Sequence, residues 1–116
     1  MKIETELMRG AGPVAVLKLL QRGEMYGYEL VEALAKQSGG VLAMGQSTLY
    51  PMLYNLEAKG LIDASWRTEG ARERKYYALT AAGRKRLLED TKQWGRLVEA
   101  MRGIGVVSTL AIGGGA

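Results

Sequence analysis

The amino-acid sequence predicts a mainly α fold with a small β-hairpin, arranged as a winged helix-turn-helix followed by a C-terminal dimerisation helix. Two observations predict this class. Apolar residues recur at helical spacing in three stretches before residue 60 and again after residue 80. Between residues 62 and 79 the spacing changes to alternation, which is typical of strands. With 116 residues, of which 47% are hydrophobic, the chain has the size of one such domain.

Two helices are predicted in the first third of the chain. Residues 3–9 are helical, and the glycines and proline of residues 10–13 then interrupt or kink the helix. Pro13 suits the first position of a renewed helix, whose residues are apolar on most sides and are therefore expected to be buried from several directions. A second helix is predicted over residues 26–37, where a Ser-Gly-Gly segment ends it.

The third helix is predicted within residues 45–62. Its inner side is an apolar stripe, whereas its outer side combines polar groups and tyrosine rings with little charge. Gly45 begins the helix, with nearby hydroxyls able to accept from an orphan amide of the first turn, and Gly60 ends it. Such an outer face indicates contact with the edges of DNA bases. The inner stripe is Leu49, Met52, Leu53 and Leu56, and the outer face is Ser47, Tyr50, Pro51, Tyr54 and Asn55.

The two strands form a hairpin in a basic part of the chain. Ile62, Ala64 and Trp66 form the inner side of a half-buried first strand, and residues 68–73 form a polar turn before the returning strand. Residues 67–86 carry seven basic and two acidic side chains, a net charge of +5, while the rest of the chain carries −1. This concentration of charge is typical of a nucleic-acid contact, although a solvated basic loop would also produce it.

Composition limits the other functions. The chain contains neither cysteine nor histidine, which removes disulfides, thiolate nucleophiles, the usual zinc sites and the commonest general base. We therefore predict no catalytic residues, no metal site and no cofactor. The N-terminus lacks the apolar centre of a signal peptide, and no apolar run reaches the roughly 20 residues that span a bilayer. A cytoplasmic protein without membrane contact is expected.

Three segments of the chain resemble the short subgroup of PadR-family transcriptional regulators. They are MYGYEL at 25–30, GQSTLYPMLYNLEAKGLI at 45–62 and ERKYYALTAAGRKRL at 73–87. The resemblance implies a homodimeric repressor that binds a double-stranded DNA operator and whose C-terminal helices pair. It also implies that Ser47, Thr48, Tyr50 and Tyr54 face DNA, with Arg72, Arg74 and Lys75 on the wing.

The last predicted helix begins after the capping residue Thr80 and carries an apolar seam close to heptad spacing. The seam includes Leu87, Trp94, Leu97 and Met101, and we predict that it forms the dimer interface. Resemblance to multidrug-binding members of the subgroup implies a pore in which paired copies of Trp94 hold a planar aromatic effector. The alternative is that Trp94 only packs in the dimer. Residues expected to line the pore are Leu7, Met8, Val14, Trp94 and Val98.

The chain thus divides into a winged helix-turn-helix at residues 1–79, a dimerisation helix at 80–103 and an apolar, glycine-rich tail at 104–116. Two functions are compatible with this division. One is a DNA-binding repressor released by a small aromatic or amphipathic effector. The other is a winged-helix module that binds a protein partner instead of DNA. Separately, Tyr50 and Tyr54 could be packing residues, because tyrosine is intermediate in burial. The basic wing favours the repressor, because a protein-binding wing does not need so many phosphate-pairing cations.

Overall fold

A computed structural model of the chain describes residues 1–108. It confirms the predicted class: four helices surround a small antiparallel sheet, and the last helix projects from the domain. The elements in chain order are α1 (Thr5–Arg22), β1 (Met25–Tyr26), α2 (Gly27–Gln37), α3 (Gln46–Ala58), β2 (Ile62–Glu69), β3 (Arg72–Leu79) and α4 (Ala81–Ile104).

Helix α1 runs without a break through the glycines and Pro13, so the predicted interruption is wrong. A proline inside a helix costs about 3 kcal/mol, and burial of Val16 and Leu17 in the domain core helps to offset that cost. Gly12 lies where the two helices meet: a Cβ atom there would lie 2.5 Å from Cε of Met52 in α3. The glycine therefore allows α1 and α3 to approach closely.

The sheet has the strand order β1-β3-β2, and both strand pairs are antiparallel. Strand β1 was not predicted, because two residues are too short for a periodic signal. The hairpin is also longer than predicted, since β2 continues to Glu69 and β3 begins at Arg72. Its turn is Gly70 and Ala71, with Gly70 at a φ of +63°. The residues predicted as a polar turn are mostly strand residues that extend beyond the core.

The core lies between the helices and one face of the sheet. The stripe of α3 is buried as predicted at Leu49, Leu53 and Leu56, which are at most 5% exposed, while Met52 is half-buried beside them. Ile62 is also buried. Trp66 is 66% exposed, so the prediction that Trp66 lies on the buried side of the strand is wrong. Trp66 shares a strand face with Ile62. That face leaves the core before it reaches the tryptophan.

The helix ends differ from the prediction in one case. Gly45 is the N-cap of α3 and makes no side-chain hydrogen bond, so the predicted hydroxyl cap is wrong; Ser47 and Thr48 lie inside the first turn. The Thr80 cap of α4 is confirmed, because its hydroxyl accepts a hydrogen bond of 2.9 Å from the amide of Gly83. Gly105, at a φ of 97°, ends α4.

Helix α4 packs against α1, and the structure measures 52 Å along its longest axis. Leu87 is buried, whereas Trp94, Leu97 and Met101 are partly exposed and Val98 is half-buried. Within residues 1–108 no helix is both long and apolar enough to cross a membrane. Most of the predicted tail, residues 109–116, lies outside the described residues.

Candidate nucleic-acid interface

The outer face of α3 is exposed along its whole length. A stripe at helical spacing runs through Ser47, Pro51, Tyr54 and Ala58, all of which are exposed. Tyr54 is the most prominent ring, at 72% exposure. Ser47 and Tyr54 are therefore placed centrally on the predicted reading face.

The other predicted residues of α3 lie on its two flanks. Thr48 and Asn55 line a groove of about 580 Å³ between α3 and α1. Tyr50, 43% exposed, lies on the opposite flank, toward α2 and the hairpin. A Cβ atom at Gly27 would be 2.5 Å from the hydroxyl of Tyr50, so Gly27 permits this close contact. Tyr50 thus combines packing with exposure, whereas Tyr54 is free of such a contact.

The hairpin presents two different faces, because neighbouring strand residues point to opposite sides. We call the side turned toward α3 the near face, and it carries Trp66, Lys75 and Tyr77 beyond the buried Ile62. The ammonium of Lys75 is 3.8 Å from a carboxylate oxygen of Glu57 on α3, and 6.0 Å from the centroid of the Trp66 ring. An exposed ion pair of this kind contributes about 0–1 kcal/mol. A phosphate can therefore replace Glu57 at small cost.

The opposite side, the far face, carries a network of cations, acids and rings that pair with one another, while Arg72 lies on the same face nearer the tip. The guanidinium of Arg74 lies 4.4 Å from the centroid of Tyr26 and 3.6 Å from Glu69. Arg67 lies 4.4 Å from the centroid of the Tyr76 ring. The hydroxyl of Tyr76 donates a 2.8 Å hydrogen bond to Glu69. Arg67 and Arg74 already have partners within the domain.

The hydrogen bonds of the far-face network raise the pKa values of two of its members, Arg67 and Tyr76. A hydrogen bond with Glu24 raises the pKa of the Arg67 guanidinium, opposed in part by desolvation. The hydrogen bond to Glu69 raises the pKa of the Tyr76 hydroxyl, with desolvation as the second cause. On the near face, burial raises the pKa of Tyr77. All three groups keep their protons at neutral pH.

The three wing cations predicted to meet phosphates are therefore not equivalent. Arg72, at the start of β3, is exposed and has no ion pair among residues 1–108. Lys75 has a weak partner that it can exchange, and Arg74 is held on the far face. The acidic partners Glu24, Glu57 and Glu69 were missed in the sequence, because two of them are distant in the chain from the cations they neutralise.

The predicted effector site is brought together only in part. Trp94 and Val14 both line a cavity of about 590 Å³ between α1 and α4. Leu7 and Val98 lie outside this lining, and Met8 is buried in the domain core at 3% exposure. The cavity also contains Arg9, Lys59 and Arg86, against the single acid Asp90. The excess of positive charge disfavours the cationic guest that a tryptophan slot alone suggests.

The predicted dimer seam has fewer exposed residues than expected. Leu87 is 3% exposed within one protomer, so its side chain is not available to a partner. Trp94, Leu97 and Met101 are 38%, 44% and 36% exposed and form a stripe at helical spacing. Ile104 extends this stripe to the end of α4, at 78% exposure.

Known proteins are similar to this chain over most of its length. Residues 16–89 match the transcriptional regulator PadR-like family. The transcriptional regulator Rv3488 of Mycobacterium tuberculosis is 33% identical over 98 residues, which cover 84% of this chain and 89% of that protein. The negative transcriptional regulator PadR of Bacillus subtilis is 32% identical over 74 residues, which cover 63% of this chain and 41% of that protein. A crystal structure of a PadR-family transcriptional regulator from Eggerthella lenta aligns with a TM-score of 0.77 at 36% identity, covering 85% of each chain.

The fold and the exposed third helix beside a hairpin define a winged helix-turn-helix protein. The chain belongs to the PadR-like family of transcriptional regulators, because the family match spans more than half of it. It is accordingly a transcriptional regulator and not an enzyme.

Proposed function

We propose that the protein is a homodimeric repressor that binds a double-stranded DNA operator and is released by a small aromatic effector. The observation that carries the proposal is the outer face of α3, where Ser47 and Tyr54 stand exposed beside the basic hairpin. An exposed helix of this kind fits the major groove, and the hairpin then follows the flanking phosphates.

Each predicted contact residue has its own role in this proposal. Ser47 and Tyr54, central on α3, read base edges, while Thr48, Tyr50 and Asn55 touch the groove walls from the flanks. Arg72 and Lys75 meet phosphates from the hairpin. Arg74 acts indirectly, by holding the hairpin together.

Dimerisation through α4 accounts for the apolar stripe that one protomer leaves exposed. A helix that projects from a small domain needs a partner for such a stripe, and an identical stripe on a second copy supplies it through an isologous contact. The proposed interface consists of Trp94, Leu97 and Met101, continued by Ile104 and by the 65% exposed Leu7 of α1. Two copies also present two reading helices to a palindromic operator.

The effector is proposed to occupy the cavity between α1 and α4, against the Trp94 ring. Stacking on tryptophan favours a planar aromatic molecule. Asp90 accepts a 3.1 Å hydrogen bond from Arg86, so Arg9 and Lys59 carry the remaining charge of the lining. A neutral or anionic aromatic compound fits these charges. Repression as the sign of regulation is supported by similarity to the negative transcriptional regulator of Bacillus subtilis.

The proposal is tested by a gel shift with the DNA upstream of the protein's own gene, with random duplex as competitor. We expect a single dimeric complex that random DNA displaces poorly. Ser47→Ala and Tyr54→Ala each remove about 1–3 kcal/mol of discrimination between operator and random DNA, if each loses a base contact. Their circular dichroism stays native, since both residues are exposed.

Two results would contradict the proposal. Absence of binding to any duplex would favour a winged-helix module that binds a protein partner. Binding without discrimination, unchanged in both variants, would remove α3 from the reading of bases. A planar aromatic sulfonate should weaken the complex, and it should lose that effect in Trp94→Ala if the dimer remains intact.

A further inference from the structure

A cleft beside α3 is bordered by the exposed ring of Trp66. Trp66 on the near face is 66% exposed, although its ring is one of the largest apolar groups of the chain. It borders a cleft of about 390 Å³ between the start of α2, α3 and the hairpin. Tyr28, Tyr50 and Lys75 also line this cleft.

The chemistry of the cleft combines rings with one exchangeable cation. Tyr28 is 53% exposed and Tyr50 43%, so both rings are accessible from solvent. Lys75 places its ammonium near the indole ring while its ion pair with Glu57 stays weak. Apart from Lys75, the charged residues of the lining are Arg74 and Glu73. A ligand with an apolar ring next to an anionic group matches this arrangement.

The cleft is continuous with the proposed reading face, because Tyr50 belongs to both. A DNA backbone that follows the flank of α3 therefore passes the cleft. Its deoxyribose is apolar on its C–H edges, and its phosphate carries the negative charge. A deoxyribose and a phosphate lie side by side in every nucleotide. The indole of Trp66 and the ammonium of Lys75 lie side by side in the same way.

We propose that this cleft holds one nucleotide of the DNA backbone, with Trp66 packed on the deoxyribose and Lys75 paired with the adjacent phosphate. The inference rests on the proposed function and adds a contact that does not depend on sequence. Trp66 then strengthens binding to any duplex, while Ser47 and Tyr54 provide discrimination. Because packing on a sugar releases no counterion, the contribution of Trp66 is independent of salt.

Fluorescence provides the first test. The chain has two tryptophans, so Trp66 becomes the only one in a Trp94→Phe background. We expect its emission to be quenched as random-sequence duplex is added, with the midpoint given by the anisotropy of labelled DNA. Emission that stays unchanged at saturating DNA would overturn the proposal.

Variants provide the second test, in the full-length protein. Trp66→Ala should weaken binding to operator and to random duplex by the same factor, at least about fivefold, because the apolar area that the ring buries on the sugar is lost. The slope of log K against log salt should stay as in the wild type. Trp66→Phe should recover most of the loss. Lys75→Gln should instead flatten the slope by roughly 1.8 for two protomers, at 0.9 per phosphate.

Ser65→Ala is the matched control, because Ser65 precedes Trp66 on the same strand but points to the far face. It should bind like the wild type. If Trp66→Ala also binds like the wild type, or loses only operator binding, the proposed contact is absent. If the wild type binds no DNA at all, the proposed function itself fails, which separates the two cases.

Discussion

The two faces of the hairpin carry similar residues but differ in what those residues can still bind. On the far face, Arg67 and Arg74 lie over tyrosine rings and pair with acids, so their charges are matched within the domain. On the near face, Trp66 is exposed, and Lys75 has one exposed ion pair and longer contacts with the Trp66 and Tyr77 rings. The comparison shows that the net charge of a sequence includes every cation, whereas binding of an anion depends on the cations that have no strong partner within the fold.

The near face also changes along its own length. Near the domain it is core, with Ile62 and Tyr77 at 1% and 4% exposure, and toward the tip it is surface. One alternating pattern therefore serves two purposes: its inner half attaches the hairpin to the core, and its outer half presents side chains to solvent.

The largest expected effect is a difference in stability between variants in the buried and the exposed part of the near face. Tyr77→Ala removes a buried ring and should lower the free energy of unfolding by about 3–5 kcal/mol, as for other large core residues. Trp66→Ala, on the exposed part, should change it by about 0.5 kcal/mol or less. Urea denaturation followed by circular dichroism measures both. Tyr77→Phe keeps the ring and serves as the control; equal losses for Tyr77→Ala and Trp66→Ala would remove the division.

A smaller effect separates two cations of the far face, Arg74 inside its network and Arg72 beyond that network at the hairpin tip. If Arg72, Arg74 and Lys75 of both protomers all met phosphates, the log–log salt slope of DNA binding would be near −5, at roughly 0.9 per contact. The ion pair and ring contact of Arg74 change that expectation. Arg72→Ala should flatten the slope by roughly 1.8, whereas Arg74→Ala should leave it nearly unchanged.

Arg74→Ala should instead destabilise the hairpin, by about 0.5–1 kcal/mol, through loss of its cation–π contact with Tyr26. Anisotropy titrations at several salt concentrations, combined with urea denaturation, distinguish the two outcomes. Equal flattening of the slope in both variants would mean that Arg74 leaves its network when DNA binds.

The spacing of residues in the sequence predicted the features of the fold that depend on neighbours in the chain. The apolar stripe of α3 and the Thr80 cap depend on residues a few positions apart, and both were predicted from spacing. Contacts across the fold were not accessible in this way. Glu24 pairs with Arg67 from 43 residues away, and Met52 of α3 packs on Gly12 in the middle of α1. Alternation gave the face of Trp66 but not the point at which the core ends.

The smallest expected effect concerns the pH dependence of the far face. Its hydrogen bond to Glu69 raises the pKa of Tyr76 above the ordinary value of 10.0. A group whose pKa is raised by folding stabilises the folded state fully below its unfolded pKa, and this contribution is lost as pH rises through the folded value. The free energy of unfolding should therefore fall above pH 10 in the wild type, and less steeply in Tyr76→Phe. Tyr77 contributes to the fall in both proteins, since burial raises its pKa too, so the difference between the two curves isolates Tyr76. Identical curves would mean that the Tyr76 hydroxyl does not depend on Glu69, and the far face would then be held by its cations and rings alone.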